Sequence, residues 1–200
     1  MVKEMKKAMA NKQITQMAIA NALKKLSDTM PFEEISVQDI SIECGISRKT
    51  FYNHFEDKYQ LVDWIFRYEI GDKLIAETSL NDWKRGSLLL CRYLKENKKY
   101  YENVLNFEGQ NSFKEYLYDL TERQIHILTE ELQRKKETLK NRQITEEDME
   151  FIINFYYHAF IGEISVWAKQ GMRVSSERLV ELWIGMVDQT LENFVIKFSD

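Results

Sequence analysis

Residues 36–61, SVQDISIECGISRKTFYNHFEDKYQL, spell two short helices joined at an angle and the start of a third. Ser36 offers a hydroxyl to cap the first helix, Asp39 stands three positions on as the reciprocal member of a capping box, and Val37 and Ile40 fall on one apolar face. Gly45 is placed to end that helix. Glycine takes positive φ without a Cβ clash, so the chain can turn sharply while Ile46 points back to the core. Ser47 caps a second helix opening at Arg48, on which Phe51 and Phe55 share a face and Arg48, Lys49, Tyr52 and Asn53 lie largely away from it. Asp57 caps the next helix, with Gln60 three residues later. A helix, a glycine turn and a second helix with a polar outer face is the helix-turn-helix plan, whose second helix enters the DNA major groove.

The string T-F-Y-N-H-F, followed by Lys58 and Leu61 and preceded by S-V-Q-D-I and C-G-I-S, resembles the N-terminal domain of the tetracycline-repressor (TetR) family over roughly Ile14 to Ile70. Beyond it, E-N-K-K-Y-Y, the G-Q-N-S-F around Gly109, and the pair Trp167 and Gly171 resemble the subgroup that includes activators of dihydroxyacetone kinase genes. By that resemblance, Ser36, Thr50, Tyr52, His54 and Lys58 meet phosphates or sugars of double-stranded DNA, which fix position and carry little sequence information. Arg48, Lys49 and Asn53 are candidates for base edges, and Arg48 or Lys49 suits guanine O6 and N7. Many family members have glycine where this chain has Lys49.

Composition fits that plan. The chain has 200 residues, 44% of them hydrophobic, enough for a real core in one or two domains. One proline, Pro31, and seven glycines leave long stretches free of helix breakers, so the expected fold class is all-α; the family resemblance implies its division into an N-terminal three-helix helix-turn-helix domain plus a C-terminal helical ligand-binding and dimerisation domain. No apolar run approaches the roughly 18 to 20 residues that span a bilayer. MVKEMKKAMANK lacks a signal peptide's apolar core, so a cytoplasmic protein without a membrane partner is expected. Cys44 and Cys91 fit reduced thiols in packed helices. The net charge is −4, and residues 1–70 carry ten Lys plus Arg against ten Asp plus Glu. DNA affinity must then come from local placement: four lysines in residues 1–12, with Arg48, Lys49 and Lys58 around the second motif helix, and Glu33, Glu34, Asp39 and Glu43 turned away.

Taken in order, residues 1–12 are expected as a mobile basic arm, 13–57 as the DNA-binding domain and 58–200 as the effector-binding and dimerisation domain. Helices are expected over about 15–27, from Lys58 past Ile70 as a lever or a plain connection reaching the second domain, over 81–97, in a short piece through Tyr100 to Phe107, and from Phe113 to about Glu137, with an exposed loop at 135–143. Thr145 caps a helix ending at Gly171, and Ser175 or Ser176 opens the last. That last helix is apolar on two sides, which points to a second buried contact, with another chain or within this one. The family resemblance implies a homodimer built on a four-helix interface. The candidate interface residues are Ile153, Tyr156, Phe160, Trp167, Leu179, Trp183, Met186, Val187 and Leu191.

His54, His126, His158 and the two cysteines show no metal-ligand spacing, and there is no glycine-rich phosphate loop, so neither metal, cofactor nor enzyme chemistry is expected. Tyr93, Tyr100, Phe107, Phe113, Tyr116, Tyr156 and His158 lie on helices that, by resemblance, surround an effector cavity; packing is the alternative reading for each. The expected function is a dimeric regulator reading a near-palindromic operator and controlled by an unknown small-molecule or protein effector. A repressor fits the family resemblance; the subgroup resemblance leaves open a kinase-subunit-like coactivator and activation instead, and the sequence does not give the sign of regulation. The alternative is a helical effector- or partner-binding protein without DNA recognition of its own.

Overall fold

The computed structural model describes residues 2–71, 73–74, 83–105, 112–135 and 144–198. Among them the chain forms α1 (Val2–Ser27), α2 (Val37–Cys44), α3 (Arg48–Tyr52), α4 (Lys58–Phe66), α5 (Trp83–Glu96), α6 (Lys98–Leu105), α7 (Ser112–Lys135), α8 (Glu146–Lys169) and α9 (Ser176–Phe198), with no strand. The family fold expected from the sequence, all-α with a helix-turn-helix near the N-terminus, is the one observed. Residues 2–12 continue α1 rather than preceding it, since nothing before Ser27 breaks a helix and lysine, methionine and alanine all favour one. At Arg67 the hydrogen-bond pattern of α4 gives way to a π-helical turn, Arg67–Gly71. Of the expected loop at 135–143, Lys135 still belongs to α7, and residues 136–143, like Phe107, lie outside the described residues.

The packing of the backbone divides the chain into two compact units, 1–68 with 99–113, and 69–98 with 114–200. In the first, Ile19 and Leu23 of α1, Ile40 of α2, Phe51 of α3, and Leu61, Val62, Ile65 and Phe66 of α4 are buried together with Phe32 and Ile35 from the α1–α2 connector. Tyr101, Val104 and Leu105 of α6 are buried too, and the Tyr101 ring meets Phe66 edge-on at 6.5 Å. The connector is held from two sides. Asn103 donates from Nδ2 to the carbonyls of Ser27 (3.3 Å) and Met30 (2.6 Å) and accepts from the Phe32 N–H (2.7 Å). Lys58, at the start of α4, donates from Nζ to the carbonyls of Phe32 (2.7 Å), Glu33 (3.1 Å) and Ile35 (2.8 Å).

In the second unit, Trp83, Ile125, Leu128, Ile152, Ile153, Tyr156, Val187 and Leu191 form a buried cluster of residues from α5, α7, α8 and α9. Ion pairs tie α5 to α9 along its length, Lys84 to Asp188 at 2.6 Å and Arg92 to Glu177 at 2.8 Å. The end of α8 is closed by Gly171 at φ 71, whose N–H meets the Ala168 carbonyl while Met172 N–H reaches that of Trp167, a Schellman arrangement.

Cys91 is fully buried in this unit, and burial, then the charge of Glu177, pushes its thiol up to about 12. Cys44 is half-buried and is raised by burial alone. At pH 8 a thiol titrating near 12 is ionised to about one part in 10⁴, so an aromatic disulfide reagent should label Cys44 in the folded protein and reach Cys91 only on unfolding. Equal labelling rates for the two thiols in native buffer would contradict this packing.

Candidate nucleic-acid interface

The local chemistry of residues 36–61 builds the interface. Ser36 Oγ accepts the Asp39 N–H at 3.2 Å while the Asp39 carboxylate accepts the Ser36 N–H at 2.9 Å, closing the capping box of α2. The Ser36 hydroxyl also donates to the Asp39 carboxylate at 2.5 Å, and that bond, then the one from the Ser36 N–H, holds the Asp39 carboxyl below its ordinary range. Gly45 ends α2 at φ 70, with its own N–H on Ile42 and the Ile46 N–H on Ser41. The left-handed conformation is strained for any residue with a Cβ, and it sets the angle between α2 and α3. Ser47 then caps α3 through the Thr50 N–H at 3.0 Å, and Asp57 caps α4 through the N–H groups of Tyr59 and Gln60.

On α3 the two faces separate as the spacing requires. Phe51 is 0% exposed, with Phe55 buried beside it, their ring centroids 5.9 Å apart. Arg48, Lys49, Tyr52 and Asn53 are exposed. The Arg48 guanidinium lies 5.9 Å from the Tyr52 ring centroid and donates a long 3.4 Å hydrogen bond to its hydroxyl, which spreads a cation over an aromatic plate on the outer surface. Thr50 is half-buried, its hydroxyl 2.9 Å from that of Ser47. His54 is also half-buried; burial, then the charge of Lys12, pulls its imidazole below the ordinary histidine value. The influence of Lys12 on His54 puts that one lysine of α1 near the end of α3. Glu43 is engaged by Lys25 and Asp39 by its cap, so two carboxylates of the motif have intramolecular partners. Lys58 stands apart from the other candidates. All three of its ammonium donors face backbone carbonyls of the connector, its charge sits 4.6 Å from the Phe32 ring centroid, and burial pulls it below the ordinary lysine value against the opposing charge of Glu33.

A capped helix, a left-handed glycine and a short helix with a cationic outer face are the structural marks of the motif, and the comparison with known proteins agrees. Residues 19–65 match the family described as bacterial regulatory proteins, tetR family, and residues 81–189 match a TetR-type transcriptional regulator C-terminal region. The chain belongs to the TetR family. It is 37% identical over 99 residues to the HTH-type dhaKLM operon transcriptional activator DhaS of Lactococcus lactis subsp. lactis (strain IL1403), a match covering 48% of this chain and 53% of that protein. The matched stretch therefore spans about half the length of this curated relative. A solved structure of the dihydroxyacetone kinase operon activator DhaS shares the fold, with a TM-score of 0.63 at 24% identity over 94% of this chain and 99% of that one. Both matched models describe bacterial transcriptional regulators. Among its described residues no helix is long and apolar enough to cross a membrane.

In this TetR-family chain the described candidates for an effector site fall in both units. Tyr100 is buried in the first unit against Tyr101, with Lys24 5.6 Å from its ring centroid. In the second unit Tyr93 donates to Glu69 at 2.5 Å, Tyr156 is buried with its hydroxyl 2.7 Å from that of Thr190, and His158 is exposed on α8. Phe113 and Tyr116 fall on α7, their side chains outside the described residues. The second unit does hold an apolar cavity of about 100 Å³, lined on α5, α7, α8 and α9 by residues that include Trp83, Leu90, Leu120, Thr121, Gln124, Phe160, Ile164 and Trp183. Of the interface candidates, Ile153, Tyr156, Trp167, Leu179, Trp183, Val187 and Leu191 are buried within the chain itself, Phe160 is half-buried, and Met186 is 66% exposed. The large apolar side chains left outside on the last two helices are Phe151, Phe155 and Val166 of α8 and Leu182 and Met186 of α9.

The commitment of Lys58 to three carbonyls separates it from Arg48 in a measurable way. Lys58→Ala should lower folding stability by about 2 kcal/mol, since hydrogen bonds from a charged donor are lost and part-buried carbonyls are left without it. The slope of log K against log salt for DNA binding should stay unchanged in that variant, because an ammonium held on carbonyls neutralises no phosphate, whereas Arg48→Ala should relax the preference at one base position and leave folding stability unaltered. Urea unfolding and salt-titrated anisotropy measure the two quantities. A slope reduced by Lys58→Ala with stability unaltered would show that the ammonium leaves the connector for DNA.

Proposed function

We propose that the protein acts as a homodimer that sets one α3 helix per subunit into successive major grooves of a near-palindromic operator, half-sites about 34 to 36 Å apart, under the control of an effector bound by the second unit. The observation that carries the reading is the division of α3 into a face closed by Phe51 and Phe55 and an outer face of Arg48, Lys49, Tyr52 and Asn53. Arg48, Lys49 and Asn53 take base edges. Tyr52, Thr50, His54 and Ser36 take phosphates and sugars, with Ser36 doing so while it caps α2. Lys58 serves this function by positioning, since it fixes the connector from which α2 departs.

The homodimer rests on the outer faces of α8 and α9. Phe151, Phe155, Ala159, Gly162 and Val166 recur at intervals of four or three residues along α8, and a side chain on Gly162 or on Gly185 of α9 would meet open space. Two exposed phenylalanines beside two flat, uncovered glycine positions suit close helix-to-helix contact with a second copy and are unfavourable in water. The similarity to a transcriptional activator of the dhaKLM operon favours activation over repression as the sign of control here.

Fluorescence anisotropy with DNA from upstream of the protein's own gene, beside a scrambled duplex, tests the DNA arm. Saturable preference for the native fragment, relaxed at one base position by Arg48→Ala, is expected; equal losses on every sequence would remove the base-reading role. If neither that fragment nor unselected genomic DNA is retained at low salt, the reading as a DNA-binding regulator fails. For the dimer, Phe155→Glu combined with Met186→Glu should give a folded monomer by sedimentation and circular dichroism, with operator affinity lower by on the order of 100-fold through lost bivalency. A double variant that remains dimeric would place the contact elsewhere.

A further inference from the structure

We propose that the cavity of the second unit takes an uncharged, largely apolar small molecule that carries one hydrogen-bond acceptor, and that the indole N–H of Trp183 receives it. The volume of about 100 Å³, set beside an apolar protein cavity of ~150 Å³ that admits benzene, accommodates a ring or chain of about six non-hydrogen atoms. The described lining contains no ionisable side chain. A carboxylate, phosphate or ammonium would therefore lose its hydration with no opposite charge to meet it, so charged ligands are excluded by desolvation. Among the polar groups present, the Thr121 hydroxyl already donates to the Leu117 carbonyl at 2.8 Å. The Trp183 indole is different: its side chain is only 7% exposed, yet Nε1 is buried without a hydrogen-bond partner among the described residues. A buried donor in that state is unfavourable until an acceptor arrives, and the cavity that Trp183 lines together with Phe160, whose ring centroid lies 5.1 Å away, and with the Gln124 amide is where a ligand would bring one.

The ligand site stands on the cavity and the indole alone; its standing as the effector site rests on the proposed regulator. The experiment therefore omits DNA, so a failure here leaves operator binding untouched, and a failure of operator binding leaves the cavity result in place. Full-length protein is titrated with cyclopentanone, with methylcyclopentane of the same size but no acceptor, and with cyclopentanecarboxylate, read by thermal melting and by saturation-transfer NMR. Cyclopentanone at ten times its Kd should raise the ratio of folded to unfolded protein about 11-fold. It should bind about 3- to 10-fold more tightly than the hydrocarbon, and the carboxylate should not bind. Trp183→Phe should erase the preference for the ketone and keep hydrocarbon binding, while Leu120→Phe, which fills the cavity, should abolish both. No binding by either neutral probe, equal affinity for ketone and hydrocarbon in the native protein, or carboxylate binding as tight as the ketone would each overturn the proposal; the comparisons on the native protein hold even if Trp183→Phe does not fold.

Discussion

The connector between α1 and α2 depends on two polar side chains that come to it from distant parts of the sequence. A segment that is neither helix nor strand leaves its carbonyls and N–H groups without the partners that regular structure supplies, and this one packs Phe32 and Ile35 into a core where water cannot substitute. An ammonium with three donors matches three carbonyls, and a primary amide with two donors and one acceptor matches two carbonyls and an N–H. Lys58 and Asn103 fill those roles, at separations of 23 to 76 residues. The exit direction of α2 follows from the connector, that of α3 follows from α2 through Gly45, and the outer surface of α3 is what faces DNA in the proposed function. Placement of the reading surface is thus set one step before the helix-turn-helix begins.

The elements that could be read from the sequence are those whose causes are local. Ser36 with Asp39, Ser47, Gly45, Asp57 and Thr145 each act within four residues, and each does in the structure what its chemistry prescribes. Phe51 and Phe55 are buried because a four-residue interval fixes their common face wherever the helix goes. Lys58 shows the opposite case. A lysine beside a helix start reads as a surface cation, and only the folded connector reveals three carbonyls within its reach. Asn103 offered no signal in KKYYENVL, where the tyrosines dominate the pattern. The π-helical turn at Arg67–Gly71 was equally silent, because the apolar spacing from Leu61 through Tyr68 continues undisturbed across it.

The last two helices show the limit of periodicity from another direction. An apolar stripe wider than one face announces two contacts but does not say which residues serve which. Trp183, Val187 and Leu191 turn inward to the cluster of the second unit, while Leu182 and Met186, one position from Trp183 and Val187, remain outside. Helical geometry makes the distinction, since adjacent residues are about 100° apart around the axis. The cavity follows from the same crowding. Trp83, Phe160 and Trp183 are too large and too rigid to close completely against α7, and the space they leave is a property of four helices together rather than of any one stretch. The charge balance of the first unit has a related lesson, for Lys25 and Ser36 engage Glu43 and Asp39, and the cations of α3 dominate locally although residues 1–70 sum to zero.

Asn103 also bears on modularity. The reading head is not a contiguous N-terminal piece, because α6, some thirty residues past the end of its first segment, supplies both buried aromatic surface and the amide that fastens the connector. A chain cut after Tyr68 would keep the entire helix-turn-helix and yet lose one of its two fasteners. Heads could be exchanged between relatives only as a discontinuous graft that carries residues 99–105 along with 1–68. In evolutionary terms, substitutions in α6 are then constrained by the head they hold as much as by the body of the protein that surrounds them in sequence.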